Sequence, residues 1–227
     1  FSALRCGDVP DRFGQIEMLH LDVWWRGQNL LVDGGTYLYN GPGPWHDHLL
    51  RTESHNTVRV DGRDQMLHYR KFKFLYPTRA RLLAFGERGS ARWMTGEHLG
   101  YARHPGGCVH RRSVLMLGDD VWVVVDRVEG EGRHTARLHW LAGDFAYEYT
   151  GATLALATPR GRFTLTTLDA RGEPLPGDVV AGQEDPPRGW MSRYYAEKVS
   201  LPSLVVTREG DGVIELVTVM GDARAAV

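Results

Sequence analysis

Apolar residues recur at every second position along most of this chain, and that spacing admits extended strands and little else. Over residues 18–25, Leu19, Leu21, Val23 and Trp25 fall on one face, while His20, Asp22 and Trp24 fall on the other. Residues 26–29 (Arg-Gly-Gln-Asn) read as a turn, and residues 30–33 return as the second strand of a hairpin. The same alternation predicts strands over 56–60, 79–85, 113–117, 121–128, 136–141, 154–158, 163–168, 204–208 and 213–220. Turn formers at 61–62, 118–120 and 209–212 separate them. A strand with one apolar face needs a second layer to cover it. No stretch sustains a 3.6-residue apolar period, although a short helix fits around 45–50. The expected fold is therefore all-β: a large antiparallel β-sandwich of two packed sheets, with few or no helices, as one domain over residues 1–227. Residues 40–44 and 171–189 are rich in Gly and Pro and read as loops, the second either dividing two sheets or lying on the surface.

With 227 residues and 42% hydrophobic content, the chain is long enough for a substantial core. A formal net charge of −1 gives no global field to draw in nucleic acid or a membrane surface. No stretch approaches the about 18 consecutive apolar residues that span a bilayer. The sequence starts at Phe1 without Met and shows no signal peptide, so it is read as a piece of a longer protein. Cys6 and Cys108 are too few to define a disulfide scaffold; they read as free thiols, with pairing left open for an exported protein.

Polar chemistry concentrates between residues 33 and 81, with Asp33, Tyr37, Tyr39, Trp45, His46, His48, Arg51, His55 and Asn56. From Arg51 to Arg81 there are eight Lys or Arg residues against three acids, a local balance of +5. Guanidinium groups pair with carboxylates and sulfates, and a basic surface attracts an anionic polymer, so this stretch suits an acidic sugar polymer. It also suits a solvated, Arg-rich sheet face. His46 and His48 are a candidate metal pair, or an exposed His pair in a loop. His55 and Asn56 stand where a polar loop enters a strand, where His55 could bind a metal, act as a base or cap the loop. Gly34 and Gly35 put a tight turn beside the Asp33 carboxylate. No phosphate loop, nucleophile elbow or paired-cysteine zinc spacing is present.

The run from Leu30 to Asn40 (LLVDGGTYLYN) and the run from Arg51 to Gly62 (RTESHNTVRVDG) together resemble the C-terminal domain of the heparinase II/III-like polysaccharide lyases. Residues 110–115, 122–126 and 189–192 extend the resemblance over nearly the whole chain. It implies an N-terminal α/α toroid, absent from this chain, packed against a C-terminal β-sandwich with the active site between them. It also implies β-elimination on a uronate-containing polysaccharide and a periplasmic or extracellular location. In the family, a His-x-His-x-Asp segment supplies a catalytic His and then a zinc-binding His. The Asp of Asp-x-Gly-Thr and the His of His-Asn-Thr complete the zinc site.

By that resemblance Phe13 occupies the catalytic His position, and the zinc ligands would be Gln15, Asp33 and His55. Phe cannot move a proton, and an amide oxygen is a weaker zinc ligand than imidazole. Asp33 and His55 therefore either keep a zinc ion or form a hydrogen-bonded pair that orders the loop. Glu17, Tyr39 and His55 are the candidate catalytic groups, and Tyr37, Tyr39, Arg51 and Asn56 the candidate substrate-binding groups. The implied partners are an acidic polysaccharide and the missing α/α domain. The rival expectation is a carbohydrate-binding or structural β-sandwich that has lost lyase activity.

Overall fold

Two strands of twenty-one residues each set the architecture of this computed structural model, which describes residues 1–7, 14–70 and 73–222. In chain order the N-terminal half carries β1 (Ser2–Leu4), β2 (Leu21–Trp25), β3 (Gln28–Leu31), β4 (Val58–Val60), β5 (Leu67–Arg70), β6 (Lys73–Leu75), β7 (Ala80–Arg88), β8 (Ala91–His98) and β9 (Val109–Leu117). The C-terminal half carries β10 (Val121–Leu141), β11 (Ala146–Thr150), β12 (Thr153–Thr158), β13 (Gly161–Asp169), β14 (Asp178–Ala181), β15 (Gln183–Glu184), β16 (Pro187–Arg188), β17 (Trp190–Met191), β18 (Val199–Ser200) and β19 (Pro202–Asp222). The only helical segments among the described residues are 3₁₀ turns at Gly43–His46, His48–Leu50 and Thr52–Ser54, the first two in place of the expected short helix. No helix of the described residues is long and apolar enough to cross a membrane.

The long strands β10 and β19 pair antiparallel from Val121↔Gly221 to Leu141↔Ser203. They anchor a ten-stranded sheet of order β11-β12-β13-β19-β10-β9-β8-β7, with β14 added to β19 and β4 added to β10. A second, three-stranded sheet of order β1-β2-β3 packs over it. Leu21, Val23, Trp25, Leu30 and Leu31 of the small sheet share one core cluster with Val114, Trp122, Val124, Leu138, Trp140, Phe163 and Leu216 of the large one. Trp25 and Trp122 flank the Phe163 ring at 5.5 and 6.1 Å between centroids. This is the antiparallel β-sandwich expected from the period-two pattern.

Three details differ from the sequence reading. Residues 121–128 and 136–141 belong to one strand, as do 204–208 and 213–220. The glycine-rich stretch between each pair is a place where the long strands shift register, between Glu129 and Arg133, without leaving the ladder. Gly132 and Gly212 absorb the irregularity at φ of +82° and +72°. The stretch 171–189 is also more than a loop, because β14 within it pairs with β19. Both cysteines are free, as expected, with Cys108 buried and Cys6 half-buried.

Candidate functional site

Three segments bring chemistry to one end of the β2–β3 hairpin. His20 enters β2, Asp33 leaves β3, and His55 follows the last 3₁₀ turn on the way into β4. Asn56 ties them together from a fully buried position. Its amide nitrogen donates to the carbonyls of Leu21 and Val32 at 3.0 and 3.1 Å, and its Oδ1 accepts the N–H of Leu141 at 2.7 Å. Backbone groups buried without partners are costly, so one side chain here serves three segments. Asn56, a candidate substrate-binding residue by sequence, is thus engaged on the inside of the fold.

Arg112 of β9 fixes the same loops from below. Its buried guanidinium donates to the carbonyl of Leu19 at 2.7 Å and to that of Asn56, and it grips Asp126 through two bonds of 2.7 and 2.9 Å. The Trp140 ring lies 4.9 Å from the guanidinium carbon. Asp126 also pairs with Nε2 of His110 at 2.7 Å, whose Nδ1 meets Nε2 of His98 at 3.1 Å. The Gly100 N–H donates to Nδ1 of His98, closing the chain. That sequence of bonds is satisfied by two neutral imidazoles, each passing one N–H along. Burial raises the Asp126 carboxyl, yet Arg112 and His110 bring it below the ordinary carboxylate value. Burial lowers both His98 and His110.

Above this support, ligand atoms of Glu17, His20, Asp33 and His55 all lie within 4.8 Å of one another. Asp33 Oδ2 stands 3.4 Å from Nδ1 of His55 and 3.9 Å from Nε2 of His20. Asp33 Oδ1 accepts the Gly35 N–H at 2.6 Å and faces the Gln15 amide nitrogen at 3.4 Å. Glu17 is held by Arg5, whose Nε donates at 2.9 Å. Burial pushes Asp33 up, but the nearby charge of His55, with that of His20 and the hydrogen bond from the Gly35 N–H, holds it well below the usual range. Burial lowers His55, and the charges of Asp33 and Glu17 more than reverse that. Glu17 moves the other way: burial raises it, and His55 and Arg5 do not cancel the rise. Burial drops His20 to about 3, so its ring is neutral.

The arrangement suits a divalent cation. Both ring nitrogens of His55 and Nε2 of His20 are buried without a hydrogen-bond partner, beside two carboxylates. Nδ1 of His20 accepts the Asn56 N–H at 3.0 Å, so its proton sits on Nε2 and points toward Asp33. That leaves Glu17, Asp33 and His55 as three protein donors, the number that a zinc site with one open position uses. Gln15 has another place: its amide nitrogen donates to the Gly35 carbonyl at 2.7 Å and so braces the turn that presents Asp33.

Next to the cluster lies a groove of about 680 Å³ lined by Tyr37, Tyr39, His68, Tyr69, Arg70, Arg193 and Tyr195. Gly35 belongs to both, donating to Asp33 and lining the groove. Its φ is +73°, and a Cβ there would meet the Ser192 carbonyl at 2.2 Å, so the close approach of these two segments requires glycine. Tyr39 packs on Tyr195 with centroids 4.8 Å apart, and Tyr37 meets Trp45 edge-on. Lys198 sits 3.4 Å from the Trp45 centroid and 3.8 Å from that of Trp190, pinning the segment that carries Tyr194 and Tyr195.

Several residues named from the sequence take other places. Arg51 donates to Asp47 at 2.7 Å and to Asp64 at 3.4 Å, so its guanidinium is held by the protein's own acids. Arg70 and Arg193 line the groove, and no described residue forms an ion pair with either. His46 and His48 do not converge: Nδ1 of His46 bonds the Gly43 carbonyl, and Nδ1 of His48 stands 3.7 Å from Glu53. Phe13 lies outside the described residues. Sequence reasoning missed His20 as a site residue because the alternation marked it only as part of a polar strand face. It missed His68, Tyr69 and Arg70 because β5 is four residues long, too short for a period to show.

The model of the family described as heparinase II/III-like, C-terminal, matches residues 3–218. A heparin-sulfate lyase from Bacteroides stercoris is 26% identical over 125 residues, which covers 52% of this chain and 16% of that protein. Among solved structures, a heparinase III gene product superposes with a TM-score of 0.75 at 19% identity, covering 97% of this chain and 32% of the other. The heparan sulfate lyase HepC from Pedobacter heparinus gives 0.71 at 18% identity, covering 91% and 30%. The chain therefore spans about a third of the length of these solved relatives. With the family model matched over residues 3–218 and the same sandwich found in these solved structures, this chain belongs to the heparinase II/III-like family, in the C-terminal part of it.

Proposed function

We propose that this domain forms one wall of the active-site cleft of a polysaccharide lyase that cleaves uronate-containing polymers by β-elimination. The observation that carries the reading is the juxtaposition of an aromatic, arginine-bearing groove with the Glu17–Asp33–His55 cluster on either side of Gly35. Tyrosine rings offer flat apolar faces to sugar rings, and Arg70 and Arg193 offer bidentate partners for carboxylate or sulfate. In the reaction a base removes the proton at C5, neutralisation of the uronate carboxylate stabilises the resulting charge, and an acid protonates the leaving oxygen. Arg70 and Arg193 would hold the uronate carboxylate, and Tyr37 and Tyr39 would stack along the sugars. Bound at Glu17, Asp33 and His55, a zinc ion would supply positive charge that fixes the Asp33 turn. An N-terminal α/α domain would supply the opposite wall.

The test is to incubate the full-length protein with heparan-type, alginate-type and other acidic polysaccharides and follow the ultraviolet absorbance of an unsaturated uronate product. A rise with at least one polymer is expected. Tight binding of an acidic glycan with no such product would select the non-catalytic carbohydrate-binding reading instead.

A further inference from the structure

The groove contains a second histidine–carboxylate pair, separate from the metal-type cluster. His68 of β5 lines it, and its Nδ1 lies 3.2 Å from Oδ2 of Asp47. Both side chains are nearly buried, at 9% and 6% exposure. Asp47 also receives Nη2 of Arg51 at 2.7 Å, and Nε2 of His46 stands 3.6 Å away. Burial pushes the Asp47 carboxyl up, but the Arg51 hydrogen bond and charge, with the His68 hydrogen bond, bring it below its ordinary value. An ionised carboxylate only accepts, so the proton between the two belongs to Nδ1 of His68, and a neutral ring then carries its lone pair on Nε2. That nitrogen takes no hydrogen bond from any described residue and, unlike those of His20 and His55, is not among the buried orphans. Phe74 packs against the ring at 5.2 Å between centroids and fixes its plane. A histidine held by a buried carboxylate on one side and open to a ligand-sized groove on the other has the arrangement of a general base.

We propose that His68, oriented by Asp47, is the base that takes the C5 proton of the uronate in this groove. The inference rests on the lyase reading and gives it a proton acceptor on this domain, where the family resemblance places Phe13. Nε2 accepts the C5 proton, the C–H electron pair becomes the C4=C5 double bond, and the C4–O bond breaks with its pair on the leaving oxygen. The imidazolium, stabilised by Asp47, returns the proton to that oxygen. The products are an unsaturated uronate and a free hydroxyl on the departing sugar, with the ring restored.

The experiment compares wild type, H68Q, H68A and D47N in the full-length protein. H68Q is expected to lower kcat by at least 10²-fold, with KM within about threefold and an unchanged melting temperature, in line with the about 10²–10⁴-fold contribution of general bases. Added imidazole should restore part of the H68A rate. Nitrogen-15 spectra of the wild-type ring should show the Nδ1-protonated tautomer, and D47N should shift it toward the Nε2-protonated one. H68F, which keeps the packing on Phe74, replaces H68Q if the latter melts early. Activity of these variants within threefold of wild type overturns the inference and leaves the lyase reading standing. A wild-type protein that forms no unsaturated product removes both.

Discussion

Asn56 and Asp33 show how much of this site rests on single side chains. Removing the Asn56 amide would leave two carbonyls and one N–H unpaired in a sealed interior, each worth about 1–3 kcal/mol. Asn56→Ala is therefore expected to lower unfolding stability by about 2–4 kcal/mol, read from urea denaturation. A loss under 0.5 kcal/mol would mean that Asn56 does not hold the loops as described. Asp33 stands between His55 and His20, at 3.4 and 3.9 Å. Calorimetric titration of zinc into the protein should show one site, and Asp33→Asn should weaken it at least tenfold. Equal affinity in the variant would exclude Asp33 as a ligand. Sequence reading reached Asp33 and His55 through the motifs that flank them. It did not reach His20, whose part depends on the Asn56 N–H settling its tautomer, a contact between residues 36 positions apart.

At the level of elements, alternation made the strands legible wherever one face is buried. The pattern in β10, with Trp122, Val124 and Val128 inside, is plain in the sequence. What alternation could not show is continuity through glycine-rich stretches, since Gly and Asp mark a turn and a bulge alike. Glu209-Gly210-Asp211-Gly212 looks like a hairpin turn, yet Asp211 pairs with Arg133 in the middle of the ladder. Gly212 sits at φ +72° with open space where a Cβ would go, so a substitution there meets only backbone strain. Gly212→Ala should cost about 1 kcal/mol, and Gly212→Asn less, because Asn tolerates the left-handed region. Identical melting temperatures for wild type and Gly212→Ala would contradict this conformation. The groove hairpin β5–β6 was illegible for a different reason: four and three residues carry no period.

Across the whole molecule, buried neutral histidines set the response to acid. Burial lowers His98, His110 and His139, and brings His48 to about 4. Below the ordinary histidine value of about 6.5, the unfolded chain takes up protons that the folded chain refuses, so stability falls by up to about 1.4 kcal/mol per pH unit per histidine. His55 has the opposite sign: its raised value keeps its contribution complete below about 6.5 and loses it as pH rises through that value. Asp33, held low, contributes above about 4 and does not offset the loss between pH 6.5 and 4.5. The urea midpoint should therefore drop between pH 7 and pH 5; an equal or higher midpoint at pH 5 would contradict the buried, neutral state of these rings.

One groove beside the Asp33 turn carries Tyr37, Tyr39 and Tyr69 together with Arg70 and Arg193, guanidinium groups that form no ion pair with any described residue. The most direct measurement is a crystal structure of the full-length protein with an acidic oligosaccharide bound. The sugar chain is predicted to lie along Tyr37, Tyr39 and Tyr69, with a uronate carboxylate on Arg70 or Arg193 and its C5 facing Nε2 of His68. An oligosaccharide bound elsewhere on the domain, with this groove filled by solvent, would contradict it.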